Sequence, residues 1–186
     1  MYSELKNKMR YTEIMNLTAE LMRRALSRLD ECLSRDVSLV VGGGGAMLLA
    51  YQFPLATSDI DAVPRGMSLD EIDPLVKQVA RELGLAPDWL NPYFSTFTHT
   101  LPPNYGERLV PIFEGRHLRA DALSKDDLLI MKCFAHRQKD VGHAKALITM
   151  GADIKMVGEH IESLLQKRIP GAQDALDFLD DVCDQI

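Results

Sequence analysis

Residues Val37 to Val63 read VSLVVGGGGAMLLAYQFPLATSDIDAV, and this stretch decides the fold. Val37–Val41 is a short, apolar, β-branched run of the kind that forms a buried strand. Four glycines follow, Gly42, Gly43, Gly44 and Gly45, and then an apolar segment, Ala46–Tyr51, long enough for one or two helical turns. Pro54 ends that segment, and Thr57–Val63 reads as a second short strand. On a strand, positions two apart share a face, so Asp59 and Asp61 project the same way. Like charges so placed repel, and a divalent cation removes the repulsion. Hard carboxylate oxygens suit Mg2+, with Mn2+ as the alternative. Glycines at the strand-to-helix turn would let a triphosphate approach backbone N–H groups.

The same glycines exclude two other readings. No Gly-Lys-Ser/Thr follows, so the turn is not a P-loop, and Met47 stands where a Rossmann fingerprint needs its third glycine. A purely structural turn and a solvated edge strand are the bland alternatives; Ile60 and Val63 argue for a half-buried strand.

A Gly-Gly turn (Gly44-Gly45), thirteen intervening residues and then Asp59-Ile60-Asp61 resembles the core motif of the DNA-polymerase-β-type nucleotidyltransferase superfamily. Further segments resemble one bacterial branch, the DUF6036 nucleotidyltransferase-like family, close to the AbiEii and MNT toxin–antitoxin enzymes. They are Asp88-Trp89-Leu90-Asn91, Leu101-Pro102-Pro103, Glu107-Arg108-Leu109-Val110, Ala122-Leu123-Ser124 with Asp127-Leu128-Leu129 and Lys132, and Lys139-Asp140. The resemblance spans residues 37–148. It implies an α/β (α+β) nucleotidyltransferase fold, a small mixed sheet flanked by helices with a helical C-terminal part. It implies transfer of a nucleoside monophosphate from an NTP to a hydroxyl of tRNA, a protein or a small molecule. Asp59 and Asp61 would hold the metal, the Gly42–Gly45 turn and Ser58 would contact the phosphates, and Lys132 would offset their charge. Such sites usually take a third carboxylate from a neighbouring strand, for which Asp121 is the candidate, with Glu114 behind it. The relatives suggest a toxin–antitoxin or defence setting with a possible partner protein.

The remaining chain fits one compact unit: an N-terminal helical segment (1–35), a core (36–123) and a helical C-terminal part (124–186). With 186 residues, 46% apolar and 26% charged, it has an ordinary globular balance. No apolar run approaches membrane-spanning length, and Glu4, Lys6, Lys8 and Arg10 leave no signal-peptide core, so a cytoplasmic location is expected. Three widely spaced cysteines, Cys32, Cys133 and Cys183, fit reduced thiols. The net charge of −6 does not advertise a nucleic-acid binder.

Residues 3–34 read as one or two helices with Ile14, Leu17, Leu21, Ala25, Leu29 and Leu33 as the apolar stripe. Ser68-Leu69-Asp70-Glu71 is a capping box, and Gly84 stops the helix it opens. Residues 85–107 read as a long connection rich in proline and aromatics, in which Trp89 and Tyr93 either stack on a base or fill core. Residues 109–123 read as a hairpin whose first strand Pro111 pushes to a sheet edge. Ser124 opens a further helix on which Lys132, His136 and Asp140 would line up at four-residue spacing. His117, His136 and His143 have no metal-ligand spacing. Two other function classes stay open: a nucleotide-binding module without turnover, and an antitoxin-like interaction protein on the same scaffold.

Overall fold

The computed structural model describes residues 17–186. At its centre lies β1 (Val37–Val41), buried at Val37, Leu39, Val40 and Val41. On one side it pairs antiparallel with β2 (Ile60–Arg65), and on the other parallel with β5 (Leu118–Ala122). The outer strands are β3 (Leu90–Asn91), parallel to β2, and β4 (Val110–Glu114), antiparallel to β5. The order β3-β2-β1-β5-β4 makes a five-stranded mixed sheet flanked by helices, as the sequence implies.

Helix α1 (Ala19–Cys32) starts at Thr18, whose hydroxyl accepts from the Leu21 amide at 3.1 Å. Leu17, Ala25, Leu29 and Leu33 are buried as expected, and Met22 and Leu26 complete the stripe; Leu21 is only half-buried. Ile14, Lys6, Lys8 and Arg10 lie outside the described residues. Arg23 and Arg24 are exposed, and Arg28 is tied to Glu31 and Glu82 on the surface.

Short α2 (Gly43–Tyr51) links β1 to β2. The second strand begins at Ile60, later than Thr57, and the Thr57 carbonyl accepts from the Leu17 amide at 2.7 Å instead of joining the sheet. Helix α3 (Leu69–Leu83) shows the full capping box of Ser68 and Glu71, and Gly84 closes it in the left-handed region at φ 68°. The stretch 85–107 is not a bare connection: it holds β3 and two 3-10 turns, Tyr93–Thr100 and Tyr105–Arg108. Trp89 is core, fully buried, its indole N–H donating to the Val76 carbonyl at 3.0 Å. The hairpin forms as read, with β4 and its Pro111 at the sheet edge.

The C-terminal part consists of α4 (Lys125–Ala135), α5 (Gln138–Thr149), α6 (Ile154–Gln166) and α7 (Ala172–Cys183). Helix α4 is buried on almost every side, from Asp127 to Cys133 without a break, and the other three helices pack around it. At its C-terminal end, at Phe134 and Ala135, the helix becomes half-buried. The chain also turns sooner than expected. His136 caps α4 with φ 33°, so Asp140 belongs to a new helix and Lys132, His136 and Asp140 do not form one ridge.

Candidate active site

The glycine turn is shaped by what it packs against. The Gly42 amide donates to the Asp61 carbonyl at 2.8 Å, continuing the β1–β2 ladder by one step. Gly43 then takes φ +58°, and a Cβ there would overlap the Asp61 carboxylate. A Cβ on Gly44 would stand 3.1 Å from Leu55 Cδ1 and 3.2 Å from the Thr57 hydroxyl. The run of small residues thus seats the N-terminus of α2 directly on the segment that carries the acid pair.

Asp59 and Asp61 line one cavity of about 390 Å³, together with Gly43, Gly44 and Thr57. Lys132, Arg137, Lys139 and His143 form its other wall. Asp59 is held from two directions: Thr57 Oγ1 donates to Oδ1 at 3.2 Å and Asn91 Nδ2 to Oδ2 at 2.9 Å. Burial, and then the charge of Asp59, push the Asp61 carboxyl up to about 6, against the pull of Lys132, Arg137 and Lys139. Ser58, expected to contact phosphate, is exposed, and Thr57 lines the cavity in its place.

The opposite wall is organised by Asp140, which is fully buried at the first turn of α5. Its carboxylate accepts from Lys132 Nζ at 2.7 Å and from Arg137 Nε at 2.7 Å. Burial alone would raise the Asp140 carboxyl; the hydrogen bonds of Arg137 and Lys132 and the charge of Lys132 override that and hold it well below the usual carboxylate range. Burial lowers the Lys132 ammonium, and the hydrogen bond and charge of Asp140 oppose the shift. His143 Nδ1 sits 3.6 Å from Asp140, too far for a hydrogen bond, and is buried without a partner.

Asp121 is placed elsewhere, which corrects its candidacy as a third carboxylate. It stands opposite Val40 on β5, on the far side of β1 from β2, and pairs with Arg119 Nε at 2.8 Å. Two strand spacings separate β5 from β2, roughly 9–10 Å, with a stagger along the strands added. Glu114, on β4, is one strand further out. Among the described residues, no three His, Cys, Asp or Glu side chains come together as a group that could hold a metal ion.

The neighbour of the acid pair is Asn91. The β2–β3 register sets Asn91 beside Asp61, and its amide reaches Asp59. A two-residue strand has no periodicity to read, so the sequence marked Asn91 only within the Asp88-Trp89-Leu90-Asn91 resemblance. The oxygens of Asp59 and Asp61 suit a hard divalent cation, and the cationic wall suits a polyanion.

The chain belongs to the DUF6036 family, described as a nucleotidyltransferase of unknown function, whose model matches residues 16–167. The matched span contains every residue of this site. No curated protein and no solved structure matched the chain. No helix of the described residues is long and apolar enough to cross a membrane.

Proposed function

We propose that this member of the DUF6036 family is a nucleotidyltransferase that moves a nucleoside monophosphate from a magnesium-bound NTP to a hydroxyl of RNA, a protein or a small molecule. One observation carries the reading: two carboxylates and three cations, from separate parts of the chain, face each other across a single cavity. A ligand that is itself both polyanionic and cation-bearing suits both walls, and an NTP with its divalent ion is such a ligand.

Asp59 and Asp61 would hold the ion; burial first and the charge of Asp59 second raise the Asp61 carboxyl, and a bound cation offsets both. When bound, Mg2+ supplies charge stabilisation at the reacting phosphate and activation of the attacking hydroxyl. The protein's own part is orientation. Thr57 and Asn91 fix the Asp59 carboxylate, and the Gly43 turn holds Asp61 against the N-terminus of α2. Asp140 holds Lys132 and Arg137 at the cavity wall, where their charge favours the triphosphate and the developing pyrophosphate.

The test is transfer of label from each of four α-labelled NTPs, with Mg2+, to total bacterial RNA and lysate protein, with Asp59→Ala/Asp61→Ala in parallel. Label moving to a macromolecule with the unaltered protein alone supports the activity and names its base and acceptor class. A second reading has its own observation. Asn91, an amide, is the side chain that reaches the acid pair from the adjacent strand, which fits a nucleotide-binding module with little turnover. Magnesium-dependent ATP binding without transfer, to macromolecules or to small hydroxyl acceptors, is its signature.

A further inference from the structure

Tyr93 opens the 3-10 turn Tyr93–Thr100 at the rim of the cavity, where it lines the same space as Asp61, Lys132 and Arg137. It is 57% exposed. An isolated exposed aromatic is unremarkable in itself. Here the neighbours argue otherwise: the same segment buries Phe94 and the preceding Trp89 completely or nearly so, so core space for aromatics exists beside it. Its ring is braced edge-on by Phe97, with centroids 6.1 Å apart and planes at 63°. Its backbone amide donates to Asn91 Oδ1 at 3.0 Å, and the same Asn91 side chain donates to Asp59. One amide thus fixes both an acid of the pair and the aromatic above it.

The niche that Tyr93 lines together with Phe94, Phe97, Leu128 and Met131, and with Asp61, Lys132 and Arg137 of the cavity wall, holds only about 30 Å³. That is on the order of one water molecule's share of the liquid, far too little for a purine or pyrimidine. A flat ligand at this rim therefore lies on the exposed face of the ring.

We infer that Tyr93 is the stacking platform for the nucleobase of the donor NTP, whose triphosphate occupies the cavity below; this rests on the nucleotide reading proposed above. Every base has a π-face, so stacking on an open ring tolerates all four bases. The site grips the triphosphate by charge and the base by contact area.

The experiment titrates the full chain, in Mg2+, with ATP and with inorganic tripolyphosphate, which carries the same charged chain and no base. Tyr93→Ala and Tyr93→Phe are compared with the unaltered protein. Stacking predicts that Tyr93→Ala raises the ATP Kd about 5- to 150-fold. It leaves the tripolyphosphate Kd unchanged, and Tyr93→Phe behaves as the unaltered protein. Retained tripolyphosphate binding also reports that the variant is folded. An unchanged ATP Kd in Tyr93→Ala overturns the inference. So does an equal loss for both ligands, which would make Tyr93 part of the phosphate site, or a loss in Tyr93→Phe, which would assign the effect to the hydroxyl. If the unaltered protein binds tripolyphosphate and ATP equally well, the base has no site and the inference falls while phosphate binding stands. If it binds neither, the nucleotide reading itself fails.

Discussion

Asn91 Nδ2 lies 2.9 Å from Asp59 Oδ2, while Asn91 itself stands in register with Asp61 on the neighbouring strand. A neutral amide thus touches one carboxylate and flanks the other, where a third acid would add to their repulsion. Asn91→Asp makes that addition. In chelator the variant should melt below the unaltered protein, since a third like charge joins a partly buried pair. Added Mg2+ should raise its melting temperature by more than it raises that of the unaltered protein. Equal magnesium responses in the two proteins would remove Asn91 from the ion's surroundings.

Lys132 and Asp140 form a buried ion pair whose partners come from different helices, joined by the His136 corner. Removing one partner strands the other in the core. Asp140→Ala should cost on the order of 3–5 kcal/mol in urea denaturation, the usual penalty for an orphaned buried charge. The double variant Lys132→Met/Asp140→Leu should cost less than the sum of the single changes. Strict additivity would show that the two side chains are not coupled.

Asp30, near the end of α1, accepts three backbone amides of the β4–β5 turn: Arg116 at 2.9 Å, His117 at 2.7 Å and Leu118 at 2.7 Å. A Cβ on the adjoining Gly115 would collide with its carboxylate. Burial works to raise the Asp30 carboxyl, but the three amides prevail and hold it below its ordinary value of 3.8. The contribution is therefore present above pH 4 and lost as pH falls through the depressed value. Asp30→Ala should lower stability by about 1–2 kcal/mol at pH 7, with the gap narrowing as the pH falls below the ordinary carboxylate value. Chemical denaturation across that range checks both the size and the narrowing.

Where the local pattern is strong, the sequence already speaks for the structure. The β-branched run of β1, the capping box at Ser68, Pro111 at the sheet edge and the Asp59–Asp61 pair are each set by chemistry within a few residues. What escaped reading depends on partners far along the chain. Asn91 matters because β3 pairs with β2, yet two residues leave no periodicity. Asp121 has the right residue type on the right hairpin, but β5 joins the sheet on the far side of β1, a choice of topology no local pattern encodes. Lys132 meets Asp140 through a helix break at His136, a non-glycine residue at positive φ. Four-residue spacing alone cannot foresee such a break.

Asp61 carries the opposite linkage to Asp30. Its carboxyl is pushed from an ordinary 3.8 up to about 6, first by burial and then by Asp59. Between those values the folded protein holds more protons than the unfolded chain, so stability falls as pH rises from about 4 to 6 and levels off above. Asp61→Asn removes the titrating group while keeping the shape. In chelator the variant should gain on the unaltered protein through that window and end more stable by on the order of 1–2 kcal/mol at pH 7, allowing for screening by solvent. Melting curves of both proteins at pH 4.5, 6 and 7.5 measure the gap. A gap that stays constant across the three would mean that Asp61 ionises without cost in the folded protein. The acid pair would then be a solvated surface feature with no demand for a cation.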